Sequence, residues 1–285
     1  ENVGLDKIEI IQSKYAAIRG MFAQQSDHNY LRDLIRDMEE NIDAFEKTNR
    51  YYDVLGQLYV AFLRYANTSN DLGVVLTPSH ITEFFADIAE VNKTSVVLDN
   101  CTGTCGFLIS AMSKMIEDAR GDVGVEKSIK SNQLIGIEKG DKMYCLAASN
   151  MAIHGDGKTN IYPRSGLDPV VIEEIKRGLK DSATGKIYRP TIGMLNPPYK
   201  ADKKNDVEEL EFVKWNLEAL MEGGVCVAIL PMQCAIGKKG NTIRLKEELL
   251  DKHTLEAVFS MPDELFYNSD KSVAVSYTHL TLPTI

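Results

Sequence analysis

Between residues 29 and 46 the apolar positions are Leu31, Leu34, Ile35, Met38, Ile42 and Phe45, with charged side chains between them. Three- and four-residue spacing is the mark of an amphipathic helix, and Asp27 or Asn29 can cap its start. The stretch "YYDVLGQLYVAFLRYA" continues the pattern, so residues 5–65 read as helical, and its Tyr/Phe/Leu stripe reads as packing. The polar, Gly-ended "NTSNDLG" (67–73) then breaks the period. Beyond it come short apolar or β-branched runs: "SVVLDN" (95–100), "QLIGIE" (133–138), "TIGMLN" (191–196), "GVCVAIL" (224–230) and "LEAVFSM" (255–261). Helix-like segments at 109–119, 142–153, 208–221 and 242–251 separate them. "NIYPRSGL" (160–167) is a weaker strand, with Pro163 at an end or edge. Strands alternating with helices predict a parallel, doubly wound sheet. The expected class is therefore α/β, a Rossmann-like, mostly parallel sheet behind a small helical domain at residues 1–70.

Composition narrows the classes. The chain has 285 residues, 44% apolar and 26% charged, as ordinary globular proteins do. No apolar run reaches bilayer length, so no membrane role is expected. "ENVGLDKIEI" lacks a basic flank ahead of an apolar stretch, so no secretory signal is expected. It also lacks a starting Met, and the chain reads as a fragment. Five Cys, an odd number, suit a reducing compartment and a cytoplasmic location. Cys101 and Cys105 are the one close pair, without further ligands at zinc spacing, so no metal site is expected. A formal charge of −9 makes the chain a poor non-specific binder of nucleic acid. Any basic surface must be local or come from a partner.

Chemistry concentrates at the expected strand ends. "VVLDNCTGTCGFLISA" (96–111) reads as strand, glycine-containing turn and helix. Such turns lie where ligands bind, outside the carboxyl ends of parallel strands. Gly103 and Gly106 allow close backbone approach, and Asp99 is placed to hold a ligand amine or to cap the helix. The G-x-G-x-x-G fingerprint is missing, which disfavours a dinucleotide dehydrogenase. Glu138, ending the next strand, occupies the position from which α/β nucleotide binders meet ribose hydroxyls.

"MLNPPYK" (194–200) is the sharpest signal. Pro197 forces Asn196 out of helical geometry, and both Pro197 and Pro198 fix their φ angles. The Asn196 side-chain oxygen and the Pro197 carbonyl become rigid acceptors beside the Tyr199 ring. An amine conjugated to an aromatic ring is a poor nucleophile. Two acceptors on its N–H bonds favour a pyramidal nitrogen and restore the lone pair, which is preorganised electrostatics without a strong base. Lys200, Lys203 and Lys204 follow and are placed to touch phosphate. "GKKGNTIR" (237–244) reads as a basic loop, and His80, His154 and His253 as surface or helix-end residues.

These stretches, in order, resemble the N6-adenine DNA methyltransferases, specifically the modification subunit of type I restriction–modification systems. "GVVLTPSHITEFFADIA" is similar to the segment before the first strand, where Thr77 and Pro78 help hold the methionine end of S-adenosylmethionine. "LDNCTGTCGFL" resembles the cofactor loop, with Asp99, Cys101, Gly103, Thr104, Gly106 and Phe107. "GIEKGDKMYCLAASNMAIHG" resembles the ribose-binding strand, with Glu138. "LNPPYK" resembles the catalytic loop, Asn196, Pro197, Pro198 and Tyr199. The likeness covers residues 52–267 and implies a domain at 71–275. Cys105 stands where the family usually has Gly. Ser165 stands where an acid that helps bind the cofactor's adenine is usual, with Asp168 three residues on. Val75 and Leu76 replace aromatic residues, and residues 276–285 depart from the pattern as a tail of foreign origin. The resemblance implies S-adenosylmethionine as cofactor and double-stranded DNA as substrate. With net charge −9 and no evident target-recognition domain, it also implies a separate specificity subunit, two copies of this chain per complex and, where restriction is coupled, a restriction subunit. Two alternatives stay open: methylation of a protein glutamine or of RNA, and a catalytically silent cofactor-binding subunit.

Overall fold

The computed structural model describes residues 76–156, 160–199, 208–238, 240–262, 265–266 and 273–280, with isolated positions at 9–13, 16, 33, 36–37, 40, 53 and 56. Most of the helical reading of residues 5–65, together with Lys200, Lys203 and Lys204, lies outside the described residues.

In chain order the elements are α1 (Ser79–Ile88), β1 (Val97–Asp99), α2 (Gly106–Ala119), α3 (Val123–Asn132), β2 (Leu134–Ile137), α4 (Asp141–Ile153), β3 (Ile161–Tyr162), α5 (Pro169–Arg177), β4 (Leu179–Lys180), β5 (Ile187–Tyr188), β6 (Ile192–Leu195), α6 (Glu209–Ala219), β7 (Val225–Pro231), α7 (Met232–Ile236), α8 (Gly240–Lys252), β8 (His253–Ser260) and β9 (Val273–Leu280). The main sheet has the order β3-β2-β1-β6-β7-β9-β8. β1, β2, β3, β6 and β7 pair in parallel, and β9 runs antiparallel to both β7 and β8. The expected α/β class with a mostly parallel sheet is what the chain adopts. β9 is continuous across residue 275, where the sequence reading ends its main domain.

The central strands are continuous apolar runs because helices cover both faces of the sheet. "LIGI" of β2 and "IGML" of β6 are buried at every position. Alternate residues serve opposite layers. Val227 and Ile229 of β7 join a core with Phe85, Met112, Met115 and Tyr144. Cys226, Ala228 and Leu230 join a second, with Leu210, Val213 and Leu217 of α6 and Leu245 of α8. A third core packs Ile172 and Ile175 of α5 on Leu98, Ile135 and Ile137. No helix among the described residues is long and apolar enough to cross a membrane.

The chain order places the site. From β1 the chain moves outward to β2 and β3, then returns to β6 on the other side of β1. The switch point of the sheet, where α/β proteins bind ligands, therefore lies between the ends of β1 and β6. Asp99 ends β1 and Leu195 ends β6, so the glycine turn and "NPPY" flank the same crevice mouth. A buried amide network braces this region. Asn216 of α6 donates to Asn100 Oδ1 at 2.9 Å. Asn100 Nδ2 donates to the Phe212 carbonyl at 3.0 Å and the Gly166 carbonyl at 3.3 Å.

Candidate active site

The turn after β1 is held from three sides. Thr102 N–H donates to the Ile137 carbonyl at 3.1 Å and Cys105 N–H to the Thr102 carbonyl at 2.7 Å. Gly103 is left-handed, with φ of 52°, and among the described residues a side chain there would face Leu76, at 3.9 Å. Glu138 clamps the turn: Oε2 accepts from Gly103 N–H at 3.0 Å and Oε1 from Gly140 N–H at 2.7 Å. Burial pushes its carboxyl pKa up against those two amides. Cys105 caps α2 with φ of 72°, a conformation that suits glycine. The thiol is fully buried, donating to the Ala147 carbonyl. Among the described residues no side chain caps α2.

Asp99 lies beneath this turn, not in the crevice, and is fully buried. Its Oδ1 accepts from Cys101 N–H at 2.9 Å. Burial pushes its pKa up to about 8, and Glu138 adds repulsion against the Cys101 amide and the Thr102 hydroxyl. The acid that does border the crevice is Asp53, which the sequence reading passed over. Its Oδ1 accepts from Gly56 N–H at 2.8 Å and Asn150 Nδ2 at 2.6 Å. Its Oδ2 accepts from Thr104 Oγ1 at 3.1 Å. The spacing in "YYDVLG", an acid three residues before a helical glycine, is a cap signal that carries no hint of a distant loop.

Across the crevice, Asn196 Nδ2 donates to Thr77 Oγ1 at 3.0 Å. Thr77, Cys101, Gly103, Thr104, Gly106, Phe107 and Asn196, seven of the residues expected from the sequence, border one cavity of about 30 Å³ together with Asp53. Phe107 packs on Phe85 of α1, ring centroids 4.7 Å apart, and Pro78 precedes α1 at its cap position. Pro197 is buried and Pro198 exposed. The Tyr199 ring does not border this cavity. It is half-buried beside Phe266, with centroids 6.1 Å apart at 70°, and burial followed by the Glu209 carboxylate raises its phenol pKa. Phe266 was also missed, because "PDELFY" reads as a polar turn. Ser165 lies three residues after β3, where its Oγ accepts from Leu167 N–H at 3.3 Å. Asp168 caps α5 by accepting from Val170 N–H.

A family model, N-6 DNA Methylase, matches residues 50–280. The chain is 36% identical over 225 residues to the type II restriction enzyme and methyltransferase RM.BcgI of Heyndrickxia coagulans, covering 78% of this chain and 33% of that protein. It is 24% identical over 284 residues to the type I restriction enzyme MjaVII methylase subunit of Methanocaldococcus jannaschii, covering 90% and 44%. The chain thus spans less than half the length of these two relatives. Its backbone is similar to the crystal structure of the type I restriction enzyme EcoKI M protein, with a TM-score of 0.62 at 17% identity over 97% of this chain and 67% of that one. That is a likeness of fold. With a match across most of its length, the chain belongs to the N-6 DNA methylase family.

Proposed function

We propose that this chain transfers a methyl group from S-adenosylmethionine to the N6 amine of adenine in double-stranded DNA, as the modification component of a restriction–modification system. The observation that carries the reading is the Asn196 amide on the same small cavity as the glycine turn, at the switch point of the sheet.

The residues fit the cofactor's amino-acid end. Gly103 leaves backbone accessible, and the uncapped start of α2 offers N–H groups to a carboxylate. Thr77 adds a hydroxyl, and Phe107 forms an apolar wall. Glu138, which holds the turn, would accept from the ribose hydroxyls. Ser165 would take the cofactor's adenine edge, with Asp168 engaged at the start of α5. When bound, S-adenosylmethionine supplies a methyl group activated by a sulfonium. A cavity of about 30 Å³ holds roughly one water, so binding requires the crevice to widen.

Asn196 and the Pro197 carbonyl act on the substrate amine. Each accepts one N–H bond, which favours the pyramidal nitrogen as the new bond forms. Pro197 and Pro198 keep these acceptors rigid. The target base must leave the duplex at a cost of a few kcal/mol, and one aromatic stack returns roughly 1–3 kcal/mol. The stack on Tyr199 does not cover that cost alone, so other protein surface must help. The net charge of −9 leaves sequence reading and phosphate affinity to a separate specificity subunit, with two copies of this chain per complex in the cytoplasm.

Labelled S-adenosylmethionine offered to genomic DNA, RNA and a glutamine-bearing protein tests this reading. Incorporation into DNA adenine by the full chain with its specificity partner is expected. Label in RNA or protein alone overturns the substrate assignment.

A further inference from the structure

Asp53 comes from the N-terminal segment, yet it is part of the glycine turn's wall. Three donors hold it: the Gly56 amide and Asn150 on Oδ1, and Thr104 on Oδ2. Asn150 also donates to the Thr104 carbonyl at 2.8 Å, so Thr104 and Asp53 are fixed to one support. A carboxylate accepts about four hydrogen bonds, and Oδ2 carries one of the three named here. Oδ2 is also the atom that lies over the turn, 3.2 Å from where a Cβ at Gly106 would stand.

Two other acids near the turn, Asp99 and Glu138, are disposed differently. Asp99 is fully buried and does not border the cavity, and neither does Glu138, each oxygen of which accepts a backbone amide. Among the described residues, Asp53 is the acid that borders the cavity. A ligand with an amino-acid end brings one cation and one anion. The anion suits the N–H groups of the turn and of α2, and the cation needs a carboxylate.

We propose that Asp53 binds the α-ammonium group of S-adenosylmethionine, so that the N-terminal segment completes the cofactor site. This rests on the crevice being the cofactor's seat. Burial pushes the Asp53 pKa up, opposed by the Gly56 amide, Asn150 and Thr104. A cation arriving at Oδ2 favours the charged form and replaces lost solvation.

The test is calorimetry on the full chain with S-adenosylhomocysteine and with its deamino analogue, which keeps the carboxylate and lacks the amine. Wild type, Asp53→Asn and Asp53→Ser are compared, each with a melting curve. Both replacements keep an oxygen to cap Gly56. Wild type is expected to prefer the amine-bearing ligand by about 10- to 100-fold, the worth of a charge-assisted hydrogen bond. The variants are expected to bind both ligands alike, at the wild-type affinity for the analogue. A preference that survives in variants melting like wild type overturns the assignment, as does a wild type that binds both ligands equally. If neither variant melts cooperatively, the wild-type comparison decides alone. Wild type binding neither ligand overturns the cofactor reading itself, a result distinct from equal binding.

Discussion

The side-chain amide of Asn196 donates to the hydroxyl of Thr77 at 3.0 Å, joining the loop after β6 to the segment before α1. The bond orients the amide: its nitrogen faces Thr77 and its oxygen faces the other way, as an acceptor. An acceptor for a substrate amine must be both present and aimed, and these two demands fall on different residues.

Asn196→Ala removes the acceptor. Methyl transfer to DNA should fall by about 100- to 1000-fold, the usual loss for one preorganised electrostatic partner. Affinity for S-adenosylhomocysteine, measured by calorimetry, should stay close to wild type. Thr77→Val keeps the acceptor and releases its orientation, which should lower turnover about tenfold, the worth of one hydrogen bond. Full activity in Asn196→Ala is the outcome that sinks the loop's assigned role.

Gly193 tests the frame behind the site. A Cβ there would stand 1.8 Å from Asn216 Oδ1, and Asn216 is fully buried. Gly193→Ala should cost about 3 kcal/mol or more in urea unfolding, as overpacking does. In an Asn216→Ala background the same change should cost much less, because the obstructing amide is gone. Additive costs would show that the conflict lies elsewhere.

The parallel sheet was legible because its strands are buried on both faces and read as unbroken apolar runs. β1, β2 and β6 fall inside the segments expected at 95–100, 133–138 and 191–196, and β7 runs one residue past the segment expected at 224–230. The helix α3, "VGVEKSIKSN", was not legible, since among its ten residues only Ile129 and Asn132 are buried. The two-residue strands β4 and β5 carry too little pattern to see. In the site, the glycine turn and "NPPY" were legible because backbone geometry needs Gly and Pro at fixed places. Asp53 and Phe266 were not, because each reaches the site through tertiary contact, Asp53 with Thr104 and Phe266 with Tyr199. Asp99, read as facing the ligand, is fully buried and does not border the cavity.

Cys101 reports on occupancy of the crevice. It is half-buried on the cavity wall, while Cys105, Cys145, Cys226 and Cys234 are buried. Burial, then Asp99 and Glu138, raise its thiol pKa well above the usual value, so alkylation at neutral pH should be slow. Under limiting maleimide, mass spectrometry should find Cys101 modified first, and S-adenosylhomocysteine should protect it. Modification that begins elsewhere, or that ignores the ligand, contradicts this placement.

Asp99 gives the fold a pH dependence of defined sign. Its pKa rises from 3.8 to about 8 on folding, so between those values the native state holds a proton that the unfolded chain has lost. Stability then falls as pH rises through that window, with a slope of up to ~1.4 kcal/mol per pH unit, and levels off above the folded pKa. Asp53 and Glu138, also raised by burial, act in the same direction. Asp99→Asn keeps an oxygen for the Cys101 amide and carries no charge to bury. Its urea unfolding free energy should therefore decline less steeply between pH 5 and 8 than that of wild type, with the gap widest at the alkaline end. Parallel pH profiles for the two proteins would mean that Asp99 is already ionised at pH 5 in the native state, and that solvent or a cation reaches it beneath the turn.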